Sequence, residues 1–245
     1  MGMNLKKTPK PIPSRHEIWR MFDQISPTYD RVNRVMTFGL DQYWRHALCR
    51  FLPDLPSIKL LDGATGTGDQ ILACLKRAPQ IQEVIGVDLA QEMLAIGKQK
   101  MIKRGCNHKV RFEVGSLLDL PFAEATFDCA TISFGIRNVT DVLLALRELK
   151  RVLKPNGRLL ILEGTMPSKG VMKGIHLFYL RHLLPRIGGF ISKTPAAYRY
   201  LNETIETFPQ GDNFLKLMLE AGFAKAIAHP MTCGIATVYQ GDVTQ

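Results

Sequence analysis

An arginine and an asparagine stand where a strand-like segment leaves the predicted core. The segment "DCATISF" (128–134) is a short apolar run typical of a buried strand, and Arg137 and Asn138 follow it closely. An arginine keeps its charge in a partly dry pocket, where it can stabilise an anion formed during a reaction. We predict that both residues are catalytic. The structural alternatives are an ion pair for Arg137 and an N-cap role for Asn138, at a helix beginning near Thr140.

A second constellation is the loop "LDGATGTGD", which follows the first apolar run. Gly66 and Gly68 allow a tight turn and a close approach of the backbone to a ligand. The G-x-G-x-x-G dinucleotide fingerprint is not met, because its third glycine position falls on Ile71. The spacing resembles the D-x-G-x-G-x-G loop of class I S-adenosylmethionine (SAM) methyltransferases. Asp62 takes the first position of that loop, and Ala64 replaces its first glycine.

Further candidate ligands follow the next strands of the pattern. Asp88 ends the second apolar run, 20 residues after Gly68, where a carboxylate can accept both hydroxyls of a ribose. Ser116 and Leu117 follow the third run and Ser133 the fourth, with plain core packing as the alternative for Leu117. Ligands of open α/β sheets lie beyond the carboxyl ends of the strands. These residues therefore predict a nucleoside-containing cofactor at one edge of a sheet.

The elements that must position these residues alternate between two patterns. Short apolar runs such as "IKLLD", "VIGVD", "VRFEV" and "RLLILEG" are typical of buried parallel strands. Between them lie helical patterns such as "DQILACLKRA" and "VTDVLLALRELKRVL". This alternation predicts βαβ units, and hence an α/β fold with a twisted parallel sheet.

The chain of 245 residues is long enough for one such domain. Pro9, Pro11 and Pro13 indicate a flexible tail, and Ser26-Pro27 predicts a break between helices near the N-terminus. The predicted divisions are a tail (1–13) and a single domain (14–245), in which a helical N-terminal segment (14–52), a cofactor-binding core (57–163), a helical insertion (164–221) and closing strands (222–245) follow one another.

The formal charge of +10 favours anionic surroundings. Residues 164–200 contain no Asp or Glu, and they combine apolar side chains with a set of basic ones: Lys169, Lys173, Arg181, Arg186, Lys193 and Arg199. This combination favours peripheral contact with an anionic membrane, while a solvated basic face is the alternative. The five cysteines form no CxxC pair, and no metal-ligand spacing is present, so we expect a cytoplasmic protein without disulfides or metal. The opening residues resemble neither a signal peptide nor a membrane span.

Four stretches resemble one particular family, the ubiquinone/menaquinone biosynthesis C-methyltransferases. They are "MFDQISPTYDRVNRVMTFGLDQYWR" (21–45), "LDGATGTGD" (61–69), "SFGIRNVTD" (133–141) and "YRYLNETIETFP" (198–209). The second stretch is shared by many methyltransferases, whereas the other three are long and specific. The resemblance extends from about residue 16 to residue 240 and implies a class I SAM-dependent methyltransferase fold with a Rossmann-like sheet.

The resemblance also implies residue roles. The family's SAM-binding positions fall on five residues, namely Thr67, Asp88, Ser116, Leu117 and Ser133. Thr65 replaces a glycine of the family pattern, which places a Cβ near the expected cofactor backbone contact. Tyr29 and Asp30, in the N-terminal stretch, are expected to cover the cofactor, approach the substrate or only pack between helices.

The implied reaction is methyl transfer from SAM to a ring carbon of a prenylated hydroquinone, demethylmenaquinol in the main interpretation. The alternative is the ubiquinone-pathway benzoquinol. Arg137 would stabilise the phenolate, and Asn138 would bind the quinol oxygen. The lipid-soluble tail would lie in a groove between the insertion and the N-terminal helices. An RNA methyltransferase and a catalytically silent scaffold are weaker alternatives, because base-stacking aromatics are missing and Gly66, Gly68 and Asp88 are intact. Nucleic acid is therefore not expected as a partner, and a homodimer is left open.

Overall fold

The computed structural model describes residues 17–167, 170–184, 204–205 and 207–244. Within these ranges, seven strands form one sheet in the order β3-β2-β1-β4-β5-β7-β6. The first five strands are parallel, and β7 runs antiparallel to β5 and β6. This confirms the predicted α/β sheet with two closing strands. The strands are β1 Ile58–Gly63, β2 Ile81–Asp88, β3 Val110–Val114, β4 Phe127–Ser133, β5 Leu153–Gly164, β6 Lys225–Met231 and β7 Ala236–Asp242.

The central strands are apolar on both sides because helices cover both faces of the sheet. Leu60 and Leu61 are adjacent in β1, so their side chains enter opposite layers, and each layer forms its own core cluster. Both side chains are fully buried. The covering helices are α3 Asp69–Arg77, α4 Gln91–Lys103, α5 Val142–Val152 and α7 Asp212–Glu220.

The predicted break at Ser26-Pro27 is wrong, because one helix, α1 (Ile18–Met36), continues through Pro27. A proline inside a helix costs about 3 kcal/mol. The helix buries apolar residues on both sides of the proline, including Met21 and Val32, and this packing outweighs the local cost. The Thr28 hydroxyl also donates to the carbonyl of Ile25 at 3.2 Å, which satisfies an acceptor near the interruption.

A helical layer covers the carboxyl ends of the parallel strands. It consists of α1, α2 (Leu40–Leu48) and α6 (Val171–Phe178), which continues as a π-helical turn (Tyr179–Leu183). Met36 of α1 packs with Leu180 of the π-helical turn in a third core cluster. The Tyr179 hydroxyl donates to the carbonyl of Met36, which joins the two helical segments directly.

Several predictions fall outside the described residues. They concern the tail (1–13), most of the stretch 198–209, and the basic residues Lys169, Arg186, Lys193 and Arg199. Among the residues that are described, no helix is both long and apolar enough to cross a membrane.

Candidate active site

The glycine loop joins β1 to α3 through a left-handed backbone. Ala64, Gly66 and Gly68 have φ values of 48°, 53° and 76°. A Cβ on Gly66 would meet nothing within 4 Å, so this glycine borders open space. A Cβ on Gly68 would approach the Met101 side chain to 2.8 Å, so this glycine permits packing beneath the loop. Of the two predicted glycines, Gly66 is therefore the one whose backbone borders the open space.

A nearby glycine leaves space for Ala64, the residue of the loop that has a left-handed backbone. A Cβ on Gly135 would lie 2.5 Å from the Cβ of Ala64, so the glycine after Phe134 leaves room for the alanine methyl group. Thr65 turns its side chain away from the open space, because its hydroxyl donates to Asp62 at 2.5 Å. The expected conflict between Thr65 and a cofactor therefore does not arise.

Asp62 lies behind the glycine loop and is not part of a cavity wall. It is almost completely buried. Its two carboxylate oxygens accept hydrogen bonds from the hydroxyls of Thr65 at 2.5 Å and Thr131 at 2.6 Å. Burial raises the pKa of Asp62 to about 6, although both hydrogen bonds act in the opposite direction. Its position supports the loop rather than a direct contact with a ligand.

Asp88 lies at the end of β2 and does face the open space. One carboxylate oxygen accepts from the Gly66 amide at 2.7 Å and the other from the Ala90 amide at 2.9 Å. Burial raises the pKa of Asp88, and these backbone hydrogen bonds oppose the rise. A carboxylate has about four lone-pair sites. The fixed carboxylate therefore retains acceptor capacity for two hydroxyl groups.

The residues at the next two strand ends complete one cavity of about 270 Å³. We call it the strand-end cavity. Its floor contains Gly66, Asp88, Ser116, Leu117 and Ser133, which were predicted to bind the cofactor. It also contains Asn138, which was predicted to be catalytic.

Two of these floor residues are fixed by local contacts. Ser133 donates to the side-chain carbonyl of Gln70 at 2.8 Å, and the Ser116 hydroxyl accepts from the Leu118 amide at 3.1 Å. Leu117 belongs both to the cavity wall and to the main core, so its packing in the core does not remove it from the cavity.

Helix α1 forms the opposite wall of the strand-end cavity through Ile18, Trp19, Phe22 and Tyr29. Thr67 is not in the wall, although it was a predicted ligand. Its hydroxyl donates to Asp30 of α1 at 2.6 Å and accepts from Lys100 at 2.9 Å.

Lys100 also pairs with two carboxylates, those of Asp30 at 2.5 Å and Asp69 at 2.6 Å. This cluster, formed by Asp30, Thr67, Asp69 and Lys100, fastens α1 over the glycine loop. We call it the α1 clasp.

A second cavity of about 440 Å³ lies between α1, α2 and α6. We call it the interhelical chamber. Its wall is mostly apolar and includes Met36, Leu40, Trp44, Met172, Leu180 and Leu184. Tyr29 and Phe134 line both this chamber and the strand-end cavity. A ligand in either cavity therefore reaches the same two side chains. This chamber lies between the N-terminal helices and the insertion, where the sequence predicted a groove for a lipid tail.

Arg137 lines the interhelical chamber and forms a buried ion pair with Glu163. The Glu163 side chain is fully buried, and this burial raises its pKa, while the adjacent Arg137 guanidinium lowers it. Within the described part of the chain, Arg137 Nε and Glu163 Oε2 have no hydrogen-bond partner. The ion-pair alternative for Arg137 is thus present, together with its exposure to the chamber.

The N-cap alternative for Asn138 is wrong. The cap of α5 is Asp141, whose carboxylate accepts from the Leu144 amide at 2.9 Å. Asn138 instead lies in a 3₁₀ turn (Ile136–Asn138) and lines the strand-end cavity. Its buried Oδ1 atom has no partner among the described residues, so an acceptor is available beside the strand-end cavity.

Sequence reasoning missed three residues that shape this site: Arg45, Gln70 and Glu163. Arg45 is buried and lines the interhelical chamber. A signal for it existed, because Arg45 ends the long N-terminal stretch that resembles the family. Gln70 and Glu163 had no signal, since each acts through a contact with a residue distant in sequence.

The fold and the strand-end cavity define a class I SAM-dependent methyltransferase. The strand-end carboxylate, the open glycine backbone and the apolar walls suit the ribose, the amino-acid end and the adenine of SAM, respectively. Two solved structures share the fold at low identity. The putative SAM-dependent methyltransferase from Methanococcus maripaludis is 14% identical, with a TM-score of 0.67 over 91% of this chain and 94% of that one. A SAM-dependent methyltransferase from Thermotoga maritima is 18% identical, with a TM-score of 0.61, covering 91% of this chain and 99% of that one.

The model of the ubiE/COQ5 methyltransferase family matches residues 12–242, and the chain belongs to this family. A relative from Geotalea daltonii, named ubiquinone/menaquinone biosynthesis C-methyltransferase UbiE, is 42% identical over 92% of this chain and 96% of its own. A relative from Thermus thermophilus, named demethylmenaquinone methyltransferase, is 42% identical over 91% of this chain and 99% of its own. The protein is therefore a SAM-dependent C-methyltransferase, as the resemblance implied.

Proposed function

We propose that the protein methylates a ring carbon of a prenylated hydroquinone and that demethylmenaquinol is its substrate. One observation carries this proposal: an apolar chamber adjoins the strand-end cavity and shares Tyr29 and Phe134 with it. A flat ring at this junction would place a carbon next to the donor, while a prenyl tail would occupy the apolar chamber. The names of the relatives from Thermus thermophilus and Porphyromonas gingivalis support the menaquinone ring.

The chemistry requires an electron-rich ring carbon. SAM supplies an electrophilic methyl group when it is bound. An unperturbed phenol has a pKa of about 10, so the site must favour the phenolate, which increases electron density on the adjacent carbon. In the balanced reaction, the bond between the methyl group and the sulfonium sulfur would break and leave S-adenosylhomocysteine. The ring carbon would gain the methyl group and lose its hydrogen as a proton, and the oxygen would end protonated as it began. Fixed cations beside the oxygen favour the anion, more strongly where water is excluded.

Arg137 and Asn138 have complementary roles in this proposal. Arg137 donates a hydrogen bond to the ring oxygen from the chamber side, while Glu163 holds its guanidinium in place. Asn138 offers an unused acceptor from the strand-end side, where it can accept a hydrogen bond from a quinol hydroxyl. Much of the acceleration can come from alignment of methyl and carbon, which requires no metal and no covalent intermediate on the protein.

Peripheral membrane contact is part of the proposal, because a polyprenyl quinol resides in the bilayer. On one face of α6, Val171 is 80% exposed, Ile175 56% and Phe178 58%. Basic residues Lys173 and Arg181 accompany these apolar side chains. An exposed apolar face with flanking cations suits the headgroup region of an anionic membrane.

Incubation with labelled SAM and each demethylated quinol in detergent, followed by quinone extraction, tests the substrate. We expect label in menaquinol, whereas label only in the benzoquinol would support the ubiquinone-pathway alternative. Label on RNA with neither quinol modified would overturn the proposal. A calorimetric SAM titration separates all of these enzymes from a silent scaffold.

Vesicle flotation tests the membrane part. Replacing Lys173, Arg181 and Arg186 together with alanine should reduce binding to anionic vesicles, and replacing Ile175 and Phe178 with serine should reduce it independently. Unchanged binding by both folded variants would contradict membrane contact through this face.

A further inference from the structure

Arg45 is a buried cation that forms no ion pair with the described residues, although the carboxylates of Asp69 and Asp62 attract it from a longer range. It lies on α2, is only 8% exposed and lines the interhelical chamber. Its guanidinium has no ion-pair partner, and its Nε no hydrogen-bond partner, among the described residues. A buried charge is costly unless it is paired or ligated. A cation held here at such a cost indicates that a ligand supplies its partner.

The other charges of the chamber wall are already compensated. The Arg137 guanidinium is paired with Glu163, so the pair carries little net charge. Asp41, which also lines the chamber, lies 3.2 Å from the Arg34 guanidinium and accepts from the Thr37 hydroxyl at 3.0 Å. Among the described arginine and aspartate residues of the chamber wall, Arg45 is therefore the one that forms no ion pair.

The Arg45 guanidinium lies over an aromatic ring that lines both cavities. Its guanidinium carbon lies 5.2 Å from the centre of the Phe134 ring, which lines both cavities. Phe134 holds a left-handed backbone with φ of 60°, an unfavourable conformation for a bulky residue. Such strain occurs where the surroundings fix a residue for function. The ring therefore holds the guanidinium at the border through a cation–π contact.

The phenol of Tyr29 independently marks the same place. Burial raises the pKa of Tyr29, while the nearby guanidinium groups of Arg45 and Arg137 lower it. Both arginines thus act on one hydroxyl that borders both cavities. A substrate phenol beside Tyr29 would experience the same two arginines, of which only Arg45 forms no direct ion pair with a described carboxylate.

We propose that Arg45 binds the ionisable oxygen of the acceptor ring and supplies the charge that stabilises the phenolate. Arg137 then contributes a directed hydrogen bond, with its charge balanced by Glu163. This inference rests on the proposed function, because it assigns the recognition of a phenolic acceptor to a specific residue.

The first test uses stability, because a ligand-binding cation and a structural one respond oppositely. Arg45→Met retains the length of the side chain and removes a buried charge that forms no ion pair. We expect it to raise the midpoint of thermal unfolding in the absence of ligands, as for active-site residues that trade stability for function. Arg50→Met, on the exposed residue beyond α2, is the matched control and should leave the midpoint nearly unchanged. A destabilised Arg45→Met would mean that Arg45 is structural and would overturn the inference.

The second test measures the ionisation of a bound phenol directly. The probe is 4-nitro-1-naphthol, whose phenolate absorbs visible light, titrated with pH in the presence of saturating protein. Wild-type protein and Arg50→Met should depress the apparent pKa of the bound probe. Arg45→Met should raise that pKa by about one unit or more relative to wild type, whereas Arg45→Lys should retain most of the depression. An identical probe pKa in wild type and Arg45→Met would also overturn the inference.

Turnover then separates this inference from the proposed function. With the quinol that the wild type methylates, Arg45→Met should lower kcat/KM about 100-fold at neutral pH, with partial recovery at higher pH. Its SAM affinity by calorimetry should stay within about twofold of wild type. If the wild type binds SAM but methylates neither quinol, the proposed function fails. If the wild type methylates a quinol and Arg45→Met has the same pH profile, only the role of Arg45 fails.

Discussion

The strand-end cavity and the interhelical chamber adjoin, yet their charged groups are held differently. In the strand-end cavity, the carboxylate of Asp88 accepts two backbone amides, and Ser133 is bound to Gln70. In the chamber, the Nε atoms of Arg45 and Arg137 have no partners among the described residues. Strand ends and tight turns preassemble the first cavity before a ligand arrives. The second cavity contains a buried cation, Arg45, that forms no ion pair with the described residues.

This difference explains why the two cavities should respond differently to substitution. A change in the strand-end cavity removes contacts to the donor but leaves other partners in place. A substitution in the chamber removes one of its buried charges, so both the free energy of unfolding and the activity should change. The following predictions test this contrast, from the largest expected effect to the smallest.

Arg137→Ala leaves Glu163 buried without its cation. We expect the free energy of unfolding to fall by about 3–5 kcal/mol, because an uncompensated buried charge remains. Urea unfolding measures this loss. The double variant Arg137→Met with Glu163→Leu should recover most of the stability, since both charges are then absent. A single variant as stable as the wild type would show that the pair is not an electrostatic unit.

Asp62→Asn tests whether Asp62 supports the loop rather than binding the donor. The folded pKa of Asp62 is about 6, against an ordinary value of 3.8, so unfolding favours its ionisation. Its contribution to stability is present below pH ~4 and is lost as pH rises through about 6, a change of up to about 3 kcal/mol. In Asp62→Asn this loss should be absent. Parallel urea titrations of both proteins from acidic to neutral pH measure the difference.

Asp88→Ala removes the acceptor predicted for the ribose of SAM. We expect the Kd for SAM to rise about 100-fold, because two charge-assisted hydrogen bonds are lost. Calorimetry measures the Kd, and the nitronaphthol probe should still bind in the chamber. Ser116→Ala is a control with a smaller effect, because its hydroxyl is engaged with the Leu118 amide. Equal losses of donor and probe binding would contradict the separation of the two cavities.

Lys100→Met disrupts the α1 clasp without altering either cavity wall. Because the cluster is partly exposed, we expect a loss of about fivefold in SAM affinity at low salt, close to 1 kcal/mol. Wild-type affinity should decrease with salt as the cluster is screened, whereas the affinity of the variant should change little. Lys103→Met, on the exposed end of α4, is the matched control. The same salt dependence in wild type and variant would exclude the clasp from donor binding.

The sequence predicted those site residues whose positions depend on the local backbone structure. Asp88 and Ser133 were predicted because strand ends and glycine loops leave short-range signals, and both residues line the strand-end cavity. The helix break at Pro27 was predicted wrongly, since the packing of α1 outweighs a local preference. The pairing of Arg137 with Glu163 had no local signal, because it joins residues 26 positions apart on adjacent elements.

Arg45 shows an intermediate case. Its stretch was singled out by resemblance, but only the structure shows that α2 places it at the chamber with an Nε atom that has no partner among the described residues. Charge balance is a property of the assembled site, and no spacing rule in a single chain encodes it.

Helix α1 forms one wall of each cavity, through Tyr29 on the strand-end side and Met36 on the chamber side. A shift of this helix that improves the fit of one substrate must therefore alter the binding site of the other. By thermodynamic linkage, the factor by which the bound methyl donor changes the affinity for the quinol equals the factor by which the bound quinol changes the affinity for the donor. Because α1 lines both cavities, binding of the donor should change the affinity for the quinol, and binding of the quinol should change the affinity for the donor.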